Sequence, residues 1–312
     1  MQIVDLNTFD LIAIEGAEAK KFLQGQVTCD VDELSPSQSL QGAICNIKGR
    51  VIGDFRLLEF RDTCYLQLEA GMADKVKPVL DKYMVFSKAE SRIATSEVRR
   101  YGVLGEPSSA ALQSLFDPLP AKAGQLAVSD NAILVKAAGL LPRYEVWHFV
   151  TDETEQNKLV NDLANSAKAS ATESWRLEEI RAGIVHITPS LSEQHLPEAL
   201  NYDISGVISF TKGCYTGQEI VARMYYRGTA KKRLYCSHRA GMSETPTSIE
   251  YLPAASQTAA AGEILSKASD KFGNWHVLTI LPGAAAEADA NVYLNGNSEL
   301  TVELELPPYM TD

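Results

Sequence analysis

Cys214 stands in the run FTKGCYTGQEIVARMYYRG, residues 210–228, with Lys212 two residues before it and Gly213 and Gly217 on either side. A cysteine that only packs has apolar neighbours. This one has Lys212, Tyr215, Thr216, Gln218 and Glu219. Thr216 to Glu219 has the T-x-x-E form of a capping box, so the spacing predicts a helix capped by Thr216, with Ile220, Val221 and Met224 as its apolar face. Cys214 then precedes a helix N-terminus, where free amides and the helix dipole favour negative charge, and Lys212 is the nearby cation. Both effects lower a thiol's pKa and raise its thiolate fraction. The two glycines leave the backbone open to close approach. From spacing alone two readings stand: a reactive or ligand-contacting thiolate with Lys212 beside it, and a half-buried cysteine in a tight loop.

A second chemical feature follows directly. Arg223, Arg227, Lys231, Lys232 and Arg233 form a basic run with Tyr225 and Tyr226 interleaved. Cations beside exposed aromatics suit single-stranded bases, while a charged linker leading into a protected edge strand has the same composition. The histidines at 148, 186, 195, 238 and 276 show no H-x-x-x-H or H-E-x-x-H spacing, so no metal site is expected. The segments GVLGE and GEILS are too sparse in glycine for a phosphate loop.

The 312 residues exceed what one core usually holds, so two or three domains are expected. A net charge of −11 excludes general binding of nucleic acid or anionic membrane by the whole surface, though not by a local patch. The start, MQIVDLNTFDLIAIEG, carries three acids and no base, unlike a secretory or transit peptide, and no apolar run reaches the ~18 residues of a membrane span. Five widely spaced cysteines without C-x-x-C fit a reducing compartment, and a cytoplasmic location is expected.

Periodicity places strands at 10–14, 39–47, 50–60 and 63–68, with a turn at Lys48-Gly49, and helices at 17–23 and 74–83. A second round adds strands at 101–106, 125–129, 132–137 and 143–150, and helices at 108–116 and 152–166. After Gly228 only short alternating strands remain, which predicts a small all-β sandwich or barrel and a boundary at 228–230. The fold class is α+β, with an α+β region over 1–228 (subdomains 1–97 and 98–228) and a β-domain over 229–312.

The contiguous run KGCYTGQE, residues 212–219, resembles the signature of the YgfZ family of folate-binding proteins, linked to iron–sulfur enzyme maintenance and tRNA modification. FDLIAIEGAEAKKFLQGQVTCDV, KYMVFSK, ESWRLEEIRAGI and GVISFTKGCYTGQEIVAR extend the likeness over most of the chain. The resemblance implies a fold like the T protein of the glycine-cleavage system, with a C-terminal β-barrel. It implies tetrahydrofolate as ligand, with Phe9 and Trp175 at the two aromatic positions tied to folate. Phe9 departs from the tryptophan frequent in the family. It makes Cys214 the essential side chain of a non-catalytic factor for iron–sulfur enzymes, among them radical enzymes that methylthiolate tRNA, with tRNA reached indirectly. Where the T protein carries an aspartate pair this chain has Gly53-Asp54, so aminomethyl transfer is disfavoured. The resemblance leaves a folate-dependent one-carbon transferase as the rival, and Asp54 is expected as a solvated strand carboxylate.

Overall fold

The computed structural model describes residues 1–105, 110–149, 167–253, 258–286 and 290–311. The helix expected over 152–166 lies outside them. Two compact units, each discontinuous in sequence, divide the chain. One comprises Met1–Thr172, His186–Gln194 and Gly206–Ile220, the other Glu173–Val185, His195–Ser205 and Val221–Asp312.

The first unit contains two sheets. One is antiparallel and built from β2 (Asp10–Glu15), β3 (Leu40–Cys45), β4 (Val51–Phe60), β5 (Thr63–Leu68) and β6 (Glu90–Ile93), in the order β3-β4-β5-β2-β6. The other takes β1 (Gln2–Asp5), β7 (Val98–Leu104), β8 (Leu126–Val128), β9 (Ala132–Ala137), β10 (Arg143–Phe149) and β11 (Lys168–Ser170), in the order β11-β1-β7-β10-β9-β8. Leu11, Leu58, Phe60 and Tyr65 of the first sheet share a buried cluster with Val98, Ile133, Val135, Trp147 and Phe149 of the second, so the sheets pack face to face. Apolar side chains sent to that face by alternation along each strand hold the unit together.

Helix α1 (Ala19–Gln24) and helix α2 (Ala73–Met84) lie on the five-stranded sheet's side of the unit. In α2, Val76, Leu80 and Met84 are buried at four-residue spacing, the stripe of a one-sided helix. Its start is fixed by Asp10, whose Oδ2 accepts from the Ala73 amide at 2.8 Å. Helix α3 (Ala110–Leu115) brings Leu112 against Val103, Leu134 and Val146 on the six-stranded sheet.

The second unit contains helix α4 from Glu173 onward (the helix spans Thr172–Arg181) and two antiparallel sheets. Strands β15 (Glu263–Ser269), β16 (Trp275–Pro282), β12 (Lys232–Arg239) and β18 (Glu303–Glu305) pair in that order, and β14 (Ala260–Ala261), β13 (Ile249–Leu252) and β17 (Asn291–Leu294) in theirs. Tyr235, Ile249, Leu281, Val292 and Leu294 form one core common to both sheets. Helix α5 (Gln218–Arg227) precedes β12. Among the described residues no helix is long and apolar enough to cross a membrane.

Candidate functional site

The site is laid out on the β3–β4 hairpin. Its turn is organised by Asn46, whose Oδ1 accepts from the amides of Lys48 at 2.9 Å and Arg50 at 3.0 Å, with Gly49 in the left-handed region at φ 71°. Further along β4, Gly53 and Asp54 point to opposite faces, as neighbours on a strand must. A Cβ at Gly53 would lie 3.0 Å from Val76 Cγ2 and 3.2 Å from Met72 Cε. Glycine stands there because β4 lies directly on α2, and a carboxylate would meet only hydrocarbon.

Asp54 is not the solvated strand carboxylate expected from sequence. It is 6 % exposed, its Oδ1 accepts from the Ile187 amide at 2.6 Å, and its Oδ2 lies 2.7 Å from His186 Nδ1. Residues 186 and 187 reach it from a segment 132 positions away in sequence, which no local pattern announces. Because a carboxylate only accepts, Nδ1 is the protonated ring nitrogen. The His186 ring meets Phe9 edge to face, centroids 6.1 Å apart at 76°. Phe9 is buried, and its carbonyl accepts from the buried Arg100 guanidinium. Phe9, His186 and Asp54 therefore form one aromatic–imidazole–carboxylate chain, with His186, at 18 % side-chain exposure, its most open member. His186 is the site residue that sequence reasoning missed.

The cysteine loop rests on the hairpin turn. A Cβ at Gly217, which has φ 84°, would collide with the Asn46 carbonyl oxygen and stand 3.1 Å from Cys45 Cβ. That glycine also shifts the predicted cap. The helix begins at Gln218, so the cap position falls on Gly217, one residue after Thr216, whose hydroxyl donates instead to Gln26 Oε1 at 3.2 Å. Gly213 is different: its φ is not left-handed, and a Cβ there would meet nothing within 4 Å.

Lys212 is buried, and its Nζ donates to the carbonyls of Gln24 at 2.8 Å, Val27 at 2.7 Å and Cys29 at 2.7 Å. An ammonium has three protons, and all three are spent on the turn that follows α1. Burial pulls its pKa below the usual lysine value. Lys212 thus braces the Cys214 loop against residues 24–29.

Cys214 is the exposed one of the five cysteines; Cys29, Cys45, Cys64 and Cys236 are buried. Burial pushes the thiols of Cys29, Cys64 and Cys236 up to about 12, where thiolate is negligible at neutral pH.

Trp175 lies in the second unit on α4. It is 2 % exposed, and its indole N–H donates to Glu179 Oε1 at 2.8 Å. Glu178, three residues on and therefore on an adjoining part of the helix surface, is also buried. Its Oε1 accepts from Arg181 at 2.8 Å, while Oε2 is buried without a hydrogen-bond partner among the described residues. A flat heterocycle carrying N–H groups on its edge would satisfy that oxygen, so the residues around Trp175 fit a pterin. Among the described residues no group of three or more His, Cys, Asp or Glu is placed to hold a metal ion.

Residues 1–132 match the family model of the GCVT N-terminal domain. The solved aminomethyltransferase T of the glycine cleavage system from Bartonella henselae superposes with a TM-score of 0.78 over 99 % of this chain and 86 % of that one, at 15 % identity, which establishes the fold. The tRNA-modifying protein YgfZ of Colwellia psychrerythraea is 35 % identical over 236 residues, covering 75 % of this chain and 70 % of its own. That of Shigella dysenteriae serotype 1 is 36 % identical over 236 residues, covering 75 % and 71 %. With an intact KGCYTGQE loop on a T-protein-like fold, and likeness of this extent to those relatives, the chain belongs to the YgfZ family.

Proposed function

We propose that this protein is a tetrahydrofolate-binding accessory factor for tRNA modification, in which Cys214 is the working side chain. The observation that carries the reading is the contrast among thiols: four are buried, and one stands exposed on a loop braced from two sides. A chain protecting a sulfur from chemistry would do the reverse. The names of the relatives support the tRNA side, and the T-protein-like fold supports the folate side.

Phe9 and Trp175 are the rings assigned to folate; within the second unit Glu178 Oε2 is an acceptor suited to a pterin edge, and within the first the Asp54–His186 pair is a fixed polar group beside Phe9. Folate, when bound, supplies a carrier for a one-carbon unit. The protein's own contribution is to hold Nδ1 of His186 protonated against Asp54 and to keep the Cys214 sulfur at the surface. Iron–sulfur enzymes, including those that methylthiolate tRNA, are the proposed beneficiaries, in the cytoplasm.

Titration with tetrahydrofolate under tryptophan emission tests the cofactor. A saturable change is expected in the parent, with a reduced amplitude in Trp175→Phe. Glu178→Gln is expected to bind about tenfold more weakly, the cost of a hydrogen bond to a charged acceptor. A parent protein with no saturable response removes the folate half of the proposal.

A further inference from the structure

From Ile220 to Ser243 the chain carries six lysines and arginines and no aspartate or glutamate, within a protein of net charge −11. Two of those cations are committed to the fold. Arg233 pairs with Asp203 at 2.6 Å, and Arg239 donates to the carbonyls of Thr301 at 2.9 Å and Glu299 at 3.3 Å. The other four, Arg223, Arg227, Lys231 and Lys232, are exposed, and none makes an ion pair among the described residues. They run along the last two turns of α5, the connector and the first residue of β12.

Helix geometry places Arg223, Tyr226 and Arg227 on one face, at i, i+3 and i+4, opposite the buried Val221. The Tyr226 ring is 67 % exposed and Tyr225 47 %, and the two meet edge to face at 5.0 Å and 85°. Arginine near a helix C-terminus is explained by the dipole alone. The dipole does not explain the Tyr226 ring, 67 % exposed between those arginines, because that exposure forfeits burial that most tyrosines obtain.

We infer that this strip is a direct contact surface for a single-stranded segment of RNA, its four free cations tracking phosphates and Tyr226, buttressed by Tyr225, stacking on a base. The pairing of unpartnered cations with exposed rings favours a single strand over a duplex, whose bases are already stacked. The overall negative charge makes the contact local rather than general. The inference deepens the tRNA side of the proposed function and rests on it for the choice of RNA over other polyanions. It replaces the indirect route to tRNA with a direct one, and does not depend on folate.

The test is fluorescence anisotropy with an unmodified tRNA transcript, a single-stranded RNA of about 12 nucleotides, and an RNA duplex, between about 50 and 200 mM salt. For four phosphate contacts on a single strand, log K against log salt should have a slope of about −2 to −3, and the double variant Arg223→Ala with Arg227→Ala should reduce it by about 1.4. Tyr226→Ala should weaken single-strand binding about tenfold while leaving the slope unchanged. All these side chains are exposed, so the variants are expected to keep the wild-type circular dichroism and to titrate with tetrahydrofolate as the parent does. Failure of the strip is thereby separated from failure of the folate reading. Equal affinity for duplex and single strand, or an unaffected Tyr226→Ala, would overturn the inference. So would absence of RNA binding at low salt, the result expected if the strip instead receives an acidic protein.

Discussion

Cells that lack the gene and carry a Cys214→Ser copy are expected to recover no tRNA methylthiolation, while a Cys29→Ser copy restores it. The exchange replaces a polarisable sulfur by a hydroxyl of nearly the same shape that does not ionise near neutral pH. It therefore removes the sulfur and little else. Cys214 is exposed and makes no hydrogen bond among the described residues, so the denaturation midpoint should move by less than about 0.5 kcal/mol equivalent. Cys29 is buried, and a hydroxyl placed there costs about 1–3 kcal/mol. The two variants thus separate function from stability in opposite directions. Mass spectrometry of hydrolysed tRNA reads the first property and urea denaturation the second. Equal rescue by both would take Cys214 out of the mechanism.

Lys212→Met should have the largest effect on stability, with a loss of roughly 3 kcal/mol or more, since each buried carbonyl left without its donor costs about 1–3 kcal/mol. Methionine fills most of the volume but leaves the carbonyls of Gln24, Val27 and Cys29 without the donor they share. Arginine is a poor substitute, because its flat fork cannot converge on three carbonyls as a tetrahedral ammonium does. A lower urea midpoint, with loss of Cys214 function as a secondary result, is the expected pattern. An unchanged midpoint would return Lys212 to the part of charge partner for the thiol that sequence spacing suggests.

Local patterns in the sequence were enough to locate the elements whose ends are marked by turn residues. Strands 63–68 and 132–137 were expected with the bounds observed, and the helix expected over 74–83 is the core of Ala73–Met84. The strands at Gln2–Asp5, Glu90–Ile93, Lys168–Ser170 and Ile249–Leu252 were not read, since three or four residues are too few to display a period. The site divides in the same way. Cys214 was legible because its oddity is local: small and charged neighbours around a thiol. Lys212 was legible as a special residue but not as a brace, because its acceptors are backbone carbonyls 183 to 188 positions away that have no side-chain signature. Asp54 was misjudged as solvated because His186 and Ile187 cover it from a distant segment. The capping box failed by one residue because a left-handed glycine wedged over the Asn46 carbonyl overrides a side-chain cap.

The vacant space beside Gly213 has a practical meaning. Among the described residues nothing lies within 4 Å of a Cβ at Gly213 and its φ is not left-handed, so alanine fits next to the Cys214 sulfur, and valine and leucine extend the series. Such a series becomes a feeler gauge: the bulk at which a visiting molecule is first turned away measures how near it must come to the thiol. If every size is accepted alike, whatever Cys214 meets arrives from another side.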